Sequence, residues 1–376
     1  MSQRDFYIDR LRTVLTALVI LLHCAITYGA SGGWFCYERH FDGSPSSILL
    51  TIFTGSLQAW FMGFFFLIAG YFTPSSLERK GSAAFLRDRF VRLGLPLLFF
   101  IFVLGPLTVA MNEVAVGDSF WGTIVWLWNH HRIINGPLWF AQALLIFSLC
   151  YCLWRAWVLR TAVPALSERM PRPIPGFFWW IFSAFLVGAV ALAIRQYVPT
   201  GKNVFGLQLG YFSSYIFLFF LGIVARGRDW LNQLSWRHAW RPALISMLTW
   251  PVLWVVCFLW QKDHPMAHLE LSGGLSLPAI TYAFWEPFFA WGVIAALLLI
   301  FRRWLNAPSA LGSWLGRRAY AVYVVHPPVL VGMTILFHPW AAPVLVKFGV
   351  VGVFSCIVCW LLADPLVRLP VLRRIL

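Results

Sequence analysis

Long apolar runs separated by short polar segments form the dominant pattern of this 376-residue chain. A helix that crosses the hydrocarbon core of a bilayer needs about 20 apolar residues, because each residue advances the helix axis by about 1.5 Å. Runs of that length lie at about 11–30, 47–73, 91–111, 137–157, 175–197, 207–225, 242–260, 276–301, 319–337 and 343–363. The pattern therefore predicts an all-α polytopic membrane protein with about ten transmembrane helices.

Two adjacent prolines, Pro327 and Pro328, interrupt the ninth run. Proline removes a helical hydrogen bond and clashes with the preceding turn, so we expect a kink or a break there. The sequence contains no internal repeat and no low-complexity stretch, and the apolar runs leave no room for a further domain. We therefore expect residues 1–376 to form a single transmembrane domain with no fused soluble domain.

The composition excludes an ordinary soluble protein. Hydrophobic residues make up 60% of the chain and charged residues only 11%, against about 45–50% and about 25% in soluble domains. The 22 Trp, 34 Phe and 11 Tyr suit the two membrane interfaces, where aromatic side chains accumulate.

The net charge of +15 reflects membrane topology better than nucleic-acid binding, because the basic residues form short clusters between apolar runs. The N-terminus, the loops after every second run and the C-terminal tail hold 23 of the 29 Lys and Arg. The other side keeps Arg39, Arg132, Arg195, Lys202, Lys262 and Lys347. By the positive-inside rule we expect a multi-pass protein of the inner (cytoplasmic) membrane with both termini in the cytoplasm.

The seven cysteines fall mostly inside apolar runs. Cys356 and Cys359 form a C-x-x-C pair, but no second pair or nearby histidine completes a zinc site. We interpret them as small buried hydrophobic residues and expect no metal site.

Three ionisable residues stand out deep within the apolar runs: His23, Glu286 and His326. Such residues are costly at membrane depth and commonly face a bundle interior or a watery cavity, so each is a functional candidate. Glu286 should be protonated or paired with a His or Arg of another span. Each residue also has a purely structural interpretation, as a hydrogen-bonded packing residue or one half of an ion pair.

Arg12 and His23 share one face of the first predicted helix. Their separation of 11 residues corresponds to about 16 Å along the axis and to about 20° beyond three full turns. The register therefore aligns a cation at the cytoplasmic end with an imidazole near the membrane midplane.

Arg87, Arg89 and Arg92 cluster just before the third run. They could serve only as positive-inside anchors. Arg89 and Arg92 are three residues apart, which places them on one helix face, and paired guanidinium groups suit phosphate binding. A phosphate-bearing cytosolic donor is the alternative interpretation.

These residues lie in segments that resemble the acyltransferase family 3 membrane proteins, multi-spanning O-acyltransferases that modify extracytoplasmic carbohydrates. The family's Arg-x10-His pattern occurs here as Arg12 and His23, within YIDRLRTVLTALVILLH, and its Arg-x-x-Arg pattern occurs as Arg89 and Arg92, within RFVR. The resemblance covers nearly the whole chain and extends to FFFLIAGYF, GPLWFAQALL and YAVYVVHPP.

Within that family the chain is most similar to the glucan succinyltransferase-like branch. The similarity rests on the first span, the segment near Trp139, the Ile194–Arg195 pair and Glu286. Many relatives carry a fused esterase-like domain, and we expect none in this chain. By this resemblance, transfer would be completed in the membrane bundle or by a partner envelope enzyme, and a homodimer is a further option.

The resemblance implies an acyl-CoA donor in the cytosol, such as acetyl- or succinyl-CoA, no bound cofactor, and a carbohydrate or glucan hydroxyl as the acceptor outside. Arg89 and Arg92, with Arg12, would hold the donor phosphates. His23 would act as a general base or, alternatively, as a transient acyl carrier.

Other residues receive supporting roles by the same resemblance. Glu286 would orient His23 or share its proton. Trp139 and Arg195 would shape the acceptor side, and His326 is a further candidate substrate-binding residue.

Two other classes of protein remain open. A proton-coupled transporter or flippase would also use a midplane His, a midplane Glu and a helix interrupted near Pro327. The absence of paired interrupted helices in two matching halves disfavours a transporter without excluding it. A scaffolding membrane protein would leave the membrane-depth charges unexplained.

Overall fold

The computed structural model describes residues 5–160, 172–264 and 271–375, and these residues are almost entirely helical. They contain no β-strand beyond the isolated bridges Tyr28–Arg39 and Val204–Leu207. Arg4 and Arg169, which contribute to the larger charge group, lie outside the described residues.

Ten helices of the described chain are long and apolar enough to span a membrane, which confirms the predicted fold class. Each corresponds to one apolar run. In chain order, α1 to α10 are Phe6–Thr27, Pro45–Lys80, Ser82–Ala115, Gly136–Val158, Phe177–Arg195, Leu209–Arg228, Trp236–Asp263, Leu277–Trp304, Ala310–Phe337 and Val344–Arg368. The sidedness of the termini stays a prediction.

The helices belong to two compact units. Unit 1 lies within Met1–Leu57, Ala83–Leu149 and Pro308–Leu376. Unit 2 comprises Gln58–Ser82 and Cys150–Ala307. The boundaries fall within α2 and α4, so both helices contribute to both units. That residues 1–376 act as a single domain stays a prediction.

In unit 1, α1 packs against both α9 and α10. Small side chains allow the close approach, and the shared core consists of Ile20, Ala321, Val322, Cys359, Trp360 and Ala363. Cys359 is fully buried there, as expected for a packing cysteine. Arg318 of α9 forms an ion pair with Asp364 of α10, which also accepts a hydrogen bond of 3.0 Å from Trp314 Nε1. These polar contacts fix the α9–α10 pair in unit 1.

In unit 2, α7 and α8 form the most extensive helix pair. A Cβ atom at Gly292 of α8 would collide with Pro242 O and Ser246 Oγ of α7, so only glycine permits this approach. Ser246 Oγ donates to Phe289 O at 2.8 Å across the interface. Small residues and hydroxyl bridges of this kind are the usual means of packing helices in a bilayer.

Of the predicted kink or break at Pro327, the break is wrong, and the kink stays a prediction. α9 continues from Ala310 to Phe337 with both prolines inside it. Pro327 has no N–H to donate to the carbonyl of Tyr323 four residues earlier, and His326 Nδ1 bonds that oxygen instead, at 2.7 Å. A side chain thus replaces the lost backbone bond, and the helix continues.

Candidate active site

Three aromatic rings of unit 1 stack into a cluster, referred to below as the His–Trp cluster: His23 of α1, Trp34 of the α1–α2 loop and His326 of α9. The ring centroids of His23 and Trp34 are 3.7 Å apart with planes 14° from parallel. His326 lies 5.5 Å from His23 and 5.9 Å from Trp34, again nearly parallel. Two of the three membrane-depth candidates, distant in sequence, therefore meet at one place.

The α1–α2 loop folds back onto the end of α1 and thereby places Trp34 over His23. The N–H groups of Glu38 and Arg39 donate to Thr27 O at 2.9 and 3.2 Å. Glu38 also forms an ion pair with Lys347 of α10. The loop is thus tied to α1 and to α10 at Glu38 and Arg39, and its tryptophan is a fixed part of the cluster.

The tautomer of His326 follows from its hydrogen bond. Tyr323 O can only accept, so Nδ1 of the neutral ring carries the hydrogen and Nε2 carries the lone pair. Nε2 is buried and has no hydrogen-bond partner among the described residues. His326 therefore presents an unused acceptor inside the cluster.

Two further nitrogen atoms of the cluster are also buried without a partner in the described part of the chain, His23 Nδ1 and Trp34 Nε1. Leaving a buried polar atom unsatisfied costs about 1–3 kcal/mol. Imidazole nitrogens and an indole N–H can together accept and donate hydrogen bonds and exchange a proton. The cluster can therefore bind a polar group such as a hydroxyl and act on its proton.

The segment around Trp139 adjoins the His–Trp cluster through Tyr323. The Tyr323 hydroxyl donates to Pro137 O, and the Phe140 ring meets the Tyr323 ring edge-on at 6.3 Å. Trp139 lies edge-on to Phe140, with 6.3 Å between the ring centroids. Trp139 thus belongs to the same unit as the cluster, and its acceptor role stays a prediction.

A second feature of unit 1 is a basic groove of about 750 Å³ lined by Arg87, Asp88, Arg92, Arg373 and Arg374 with three apolar neighbours. Four of these five charged side chains are cationic. Arg92 Nε contacts Asp88 Oδ1 at 3.2 Å, which neutralises part of the charge and leaves a net positive surface. The C-terminal arginines, which the sequence indicated only as topology signals, contribute half of the cations.

Arg12 lies close enough to Arg92 for the two charges to repel each other. Its side chain is 42% exposed and its guanidinium is 4.0 Å from Asp9 Oδ1. Arg12, on the helix that carries His23, therefore lies within electrostatic range of the groove but does not line it.

The structure gives Arg89 and Arg92 different surroundings, although their spacing predicts a shared helix face. A π-helical turn, Phe90–Gly94, begins between them and changes the angular spacing. Arg92 lines the groove, whereas the guanidinium of Arg89 lies over the Phe85 ring at 5.0 Å. A role for Arg89 in donor binding stays a prediction.

Glu286 of α8 pairs with Arg195 of α5 in unit 2, and each side chain is only 1% exposed. Arg195 Nε also donates to Gly210 O at 3.0 Å, and its guanidinium lies over the rings of Tyr211 and Tyr282 at 5.4 and 4.8 Å. The membrane-depth carboxylate thus has an arginine partner from another span. That Glu286 orients His23 stays a prediction.

Two polar atoms of the ion pair make no hydrogen bond to the described residues. Glu286 Oε1 and Arg195 Nη1 are buried and have no partner among the residues that the structure describes. A carboxylate oxygen and a guanidinium N–H together match a hydroxyl or a water molecule, which both donates and accepts.

Sequence reasoning missed Trp34, Arg373 and Arg374. Trp34 lies in a glycine-containing loop and the two arginines lie in a tail, so neither periodicity nor depth in the membrane distinguishes them. Only the folding of the loop and the tail brings them to the candidate sites.

These features define a polytopic helical membrane protein with buried polar groups at membrane depth and a basic groove. The model of the family described as "Acyltransferase domain", the acyltransferases of family 3, matches residues 5–364. The chain therefore belongs to this family.

Similar curated proteins share a common name, glucans biosynthesis protein C. The protein of that name from Escherichia coli (strain K12) is 27% identical over 163 residues, which cover 41% of this chain and 39% of the relative. The Shigella dysenteriae serotype 1 protein is 26% identical over 163 residues, which again cover 41% of this chain and 39% of the relative. The similarity thus spans about two fifths of these relatives' length. No solved structure matches the chain.

Proposed function

We propose that this family 3 acyltransferase moves an acyl group from cytosolic acyl-CoA to a hydroxyl of an extracytoplasmic carbohydrate, with a glucan as the leading acceptor class. The single observation that carries the proposal is the His–Trp cluster, in which His23 and His326 each hold an unpartnered ring nitrogen. The glucan rests on the name of the similar proteins alone.

The basic groove supplies the donor end of the proposal. Coenzyme A carries several phosphate groups, and arginine forks bind phosphate through charge-assisted hydrogen bonds. Arg92 and Arg373 line the groove, and each contact of this kind contributes about 1.5–3 kcal/mol. Arg12, on the helix that carries His23, would link the phosphates to the path toward the cluster.

The chemistry that we assign to the cluster is general-base catalysis. His23 takes the proton of the acceptor hydroxyl, and the hydroxyl oxygen forms a bond to the thioester carbonyl carbon. The C–S bond then breaks, and the imidazolium returns the proton to the leaving thiolate. His326 Nε2, fixed as an acceptor by the bond from Nδ1 to Tyr323 O, would accept a hydrogen bond from a neighbouring hydroxyl of the same carbohydrate and so orient the acceptor.

The test supplies acyl-CoA, radiolabelled in the acyl group, to inside-out and right-side-out membrane vesicles that contain the protein. We expect base-labile label in carbohydrate only where the donor reaches the cytoplasmic side. His23→Ala should lose transfer by about 10²–10⁴-fold, and His130→Ala, a change in an exposed loop histidine, should not.

A transporter or flippase gives a different result, because it moves its cargo without forming an ester. Label that crosses the membrane unattached to carbohydrate would contradict the proposal. So would normal ester formation by well-folded His23→Ala protein.

A further inference from the structure

Unit 2 contains an apolar cavity of about 440 Å³ between α5, α6, α7 and α8. This volume lies within the range of about 300–1,000 Å³ that is typical of ligand sites. Its walls are mainly aromatic and aliphatic, and include Phe177, Trp180, Leu218, Leu221, Trp291 and Leu298. Such a cavity suits a hydrocarbon chain.

The lining also includes three basic side chains from the first two turns of α7: Arg237, His238 and Arg241. All three are exposed, and no Asp or Glu is among the described residues that line the cavity. The Arg241 guanidinium lies over the rings of Phe177 and Trp240 at 5.6 and 5.1 Å, so a charge is held directly beside the apolar wall.

The segment beside this basic group is held in place by Arg302 of α8. Its guanidinium donates to the carbonyl oxygens of Leu231 and Leu234, both of which line the cavity. The positive charge of Arg302 is thus already bonded to the protein, whereas Arg237 and Arg241 are exposed.

Trp180 and Trp291 are two of the tryptophan side chains that line the cavity, and each carries an indole N–H group. Trp291 Nε1 donates to Ser183 Oγ at 3.2 Å, so this side of the cavity presents no free donor. Trp180 Nε1 is buried without a partner in the described chain. Apart from this indole N–H the wall is mainly apolar, and the basic side chains of the lining come from the start of α7.

We propose that this cavity binds one bilayer phospholipid with an anionic headgroup, with an acyl chain inside the cavity and the phosphate against Arg237 and Arg241. Charge complementarity favours this occupant, because a zwitterionic or neutral lipid brings no net negative charge to the two cations. Basic pockets between membrane helices at the cytoplasmic side are known to select such headgroups, and the positive-inside rule places the start of α7 on that side.

The experiment measures binding of phosphatidylglycerol and phosphatidylcholine to the intact purified protein, by native mass spectrometry and by the shift of the thermal unfolding midpoint. We expect phosphatidylglycerol to bind at least about tenfold more tightly. The double variant Arg237→Gln/Arg241→Gln should lose most of this preference. Arg303→Gln, an exposed arginine that does not line the cavity, is the matched control and should retain it.

A second variant, Ala295→Phe, fills the cavity and leaves both arginines in place. It should weaken phosphatidylglycerol binding, and also phosphatidylcholine binding, because the chain is excluded. Equal binding of the two lipids by the wild type, or an equal loss in Arg303→Gln, would overturn the proposal. Displacement of phosphatidylglycerol by stoichiometric palmitoyl-CoA would identify the occupant as a donor and would overturn it as well.

Discussion

The ion pair of Arg195 and Glu286 permits a quantitative prediction about stability. Both side chains are 1% exposed, so removing one partner leaves an uncompensated buried charge. We expect Glu286→Leu to lower the free energy of unfolding by about 3–5 kcal/mol. Arg195→Leu should cost about 1–2 kcal/mol more, because it also removes the hydrogen bond to Gly210 O and the stacking on Tyr211 and Tyr282.

The double variant Arg195→Leu/Glu286→Leu should be far more stable than the sum of its parts. Two leucines place no charge in the bilayer, and replacing a buried pair by apolar residues is often neutral or stabilising. Only the extra contacts of Arg195 are then lost, so we expect a net cost of about 1–2 kcal/mol. The resulting coupling energy is about 6–10 kcal/mol, well above the scatter of additive sites.

The assay is titration with sodium dodecyl sulfate in mixed micelles, followed by tryptophan fluorescence, on the wild type and all three variants. Additivity of the two single changes within about 0.5 kcal/mol would refute the reasoning. Transfer activity is measured in parallel. A double variant that is stable and active assigns the pair to the scaffold, whereas one that is stable and inactive assigns it to the reaction.

Further predictions concern the cluster, the groove and the topology. His326→Asn retains a donor for Tyr323 O but lacks Nε2, so it should fold normally and lose transfer by at least about tenfold; near wild-type rates would reduce His326 to packing. Arg373→Gln should raise the KM for acyl-CoA by about tenfold at unchanged kcat, whereas Arg303→Gln should leave both parameters unchanged. Reporter fusions should place the C-terminus in the cytoplasm, and an external signal would contradict the charge rule. Burial raises the pKa of the Cys36 thiol to about 11, so its rate of alkylation by N-ethylmaleimide should be low at pH 8 and rise steeply up to about pH 11; fast labelling at pH 8 would show that the loop opens.

The membrane helices are predictable from the sequence because each one depends only on the length and the apolar character of its own segment. A span needs a certain length of apolar residues regardless of its neighbours, and α5 and α8 follow directly from it. The register of Arg12 and His23 is equally local, since both lie on one uninterrupted helix, Phe6–Thr27.

The assembly of the sites is not predictable in the same way, since it depends on how distant segments pack. Glu286 requires a partner on electrostatic grounds, but the identity of Arg195 depends on the contact between α5 and α8. The spacing of Arg89 and Arg92 predicts a shared face only for a regular α-helix. The pattern of apolar residues does not indicate the π-helical turn that begins between them. Trp34 is placed by a loop whose path is fixed through Lys347, more than 300 residues away.

The energetics of the His–Trp cluster argue against a role in packing alone. Unit 1 already packs α1 against α9 and α10 through small apolar side chains, and three buried nitrogen atoms without partners would add a penalty of about 1–3 kcal/mol each. Apolar rings of the same size would fill the space without that cost. The sequence His326–Pro327 also directs one nitrogen toward the backbone and leaves the other free. Unused hydrogen-bonding positions, fixed in this way at membrane depth, are expected where a polar ligand completes them, and an acceptor hydroxyl is the ligand that the proposed function predicts.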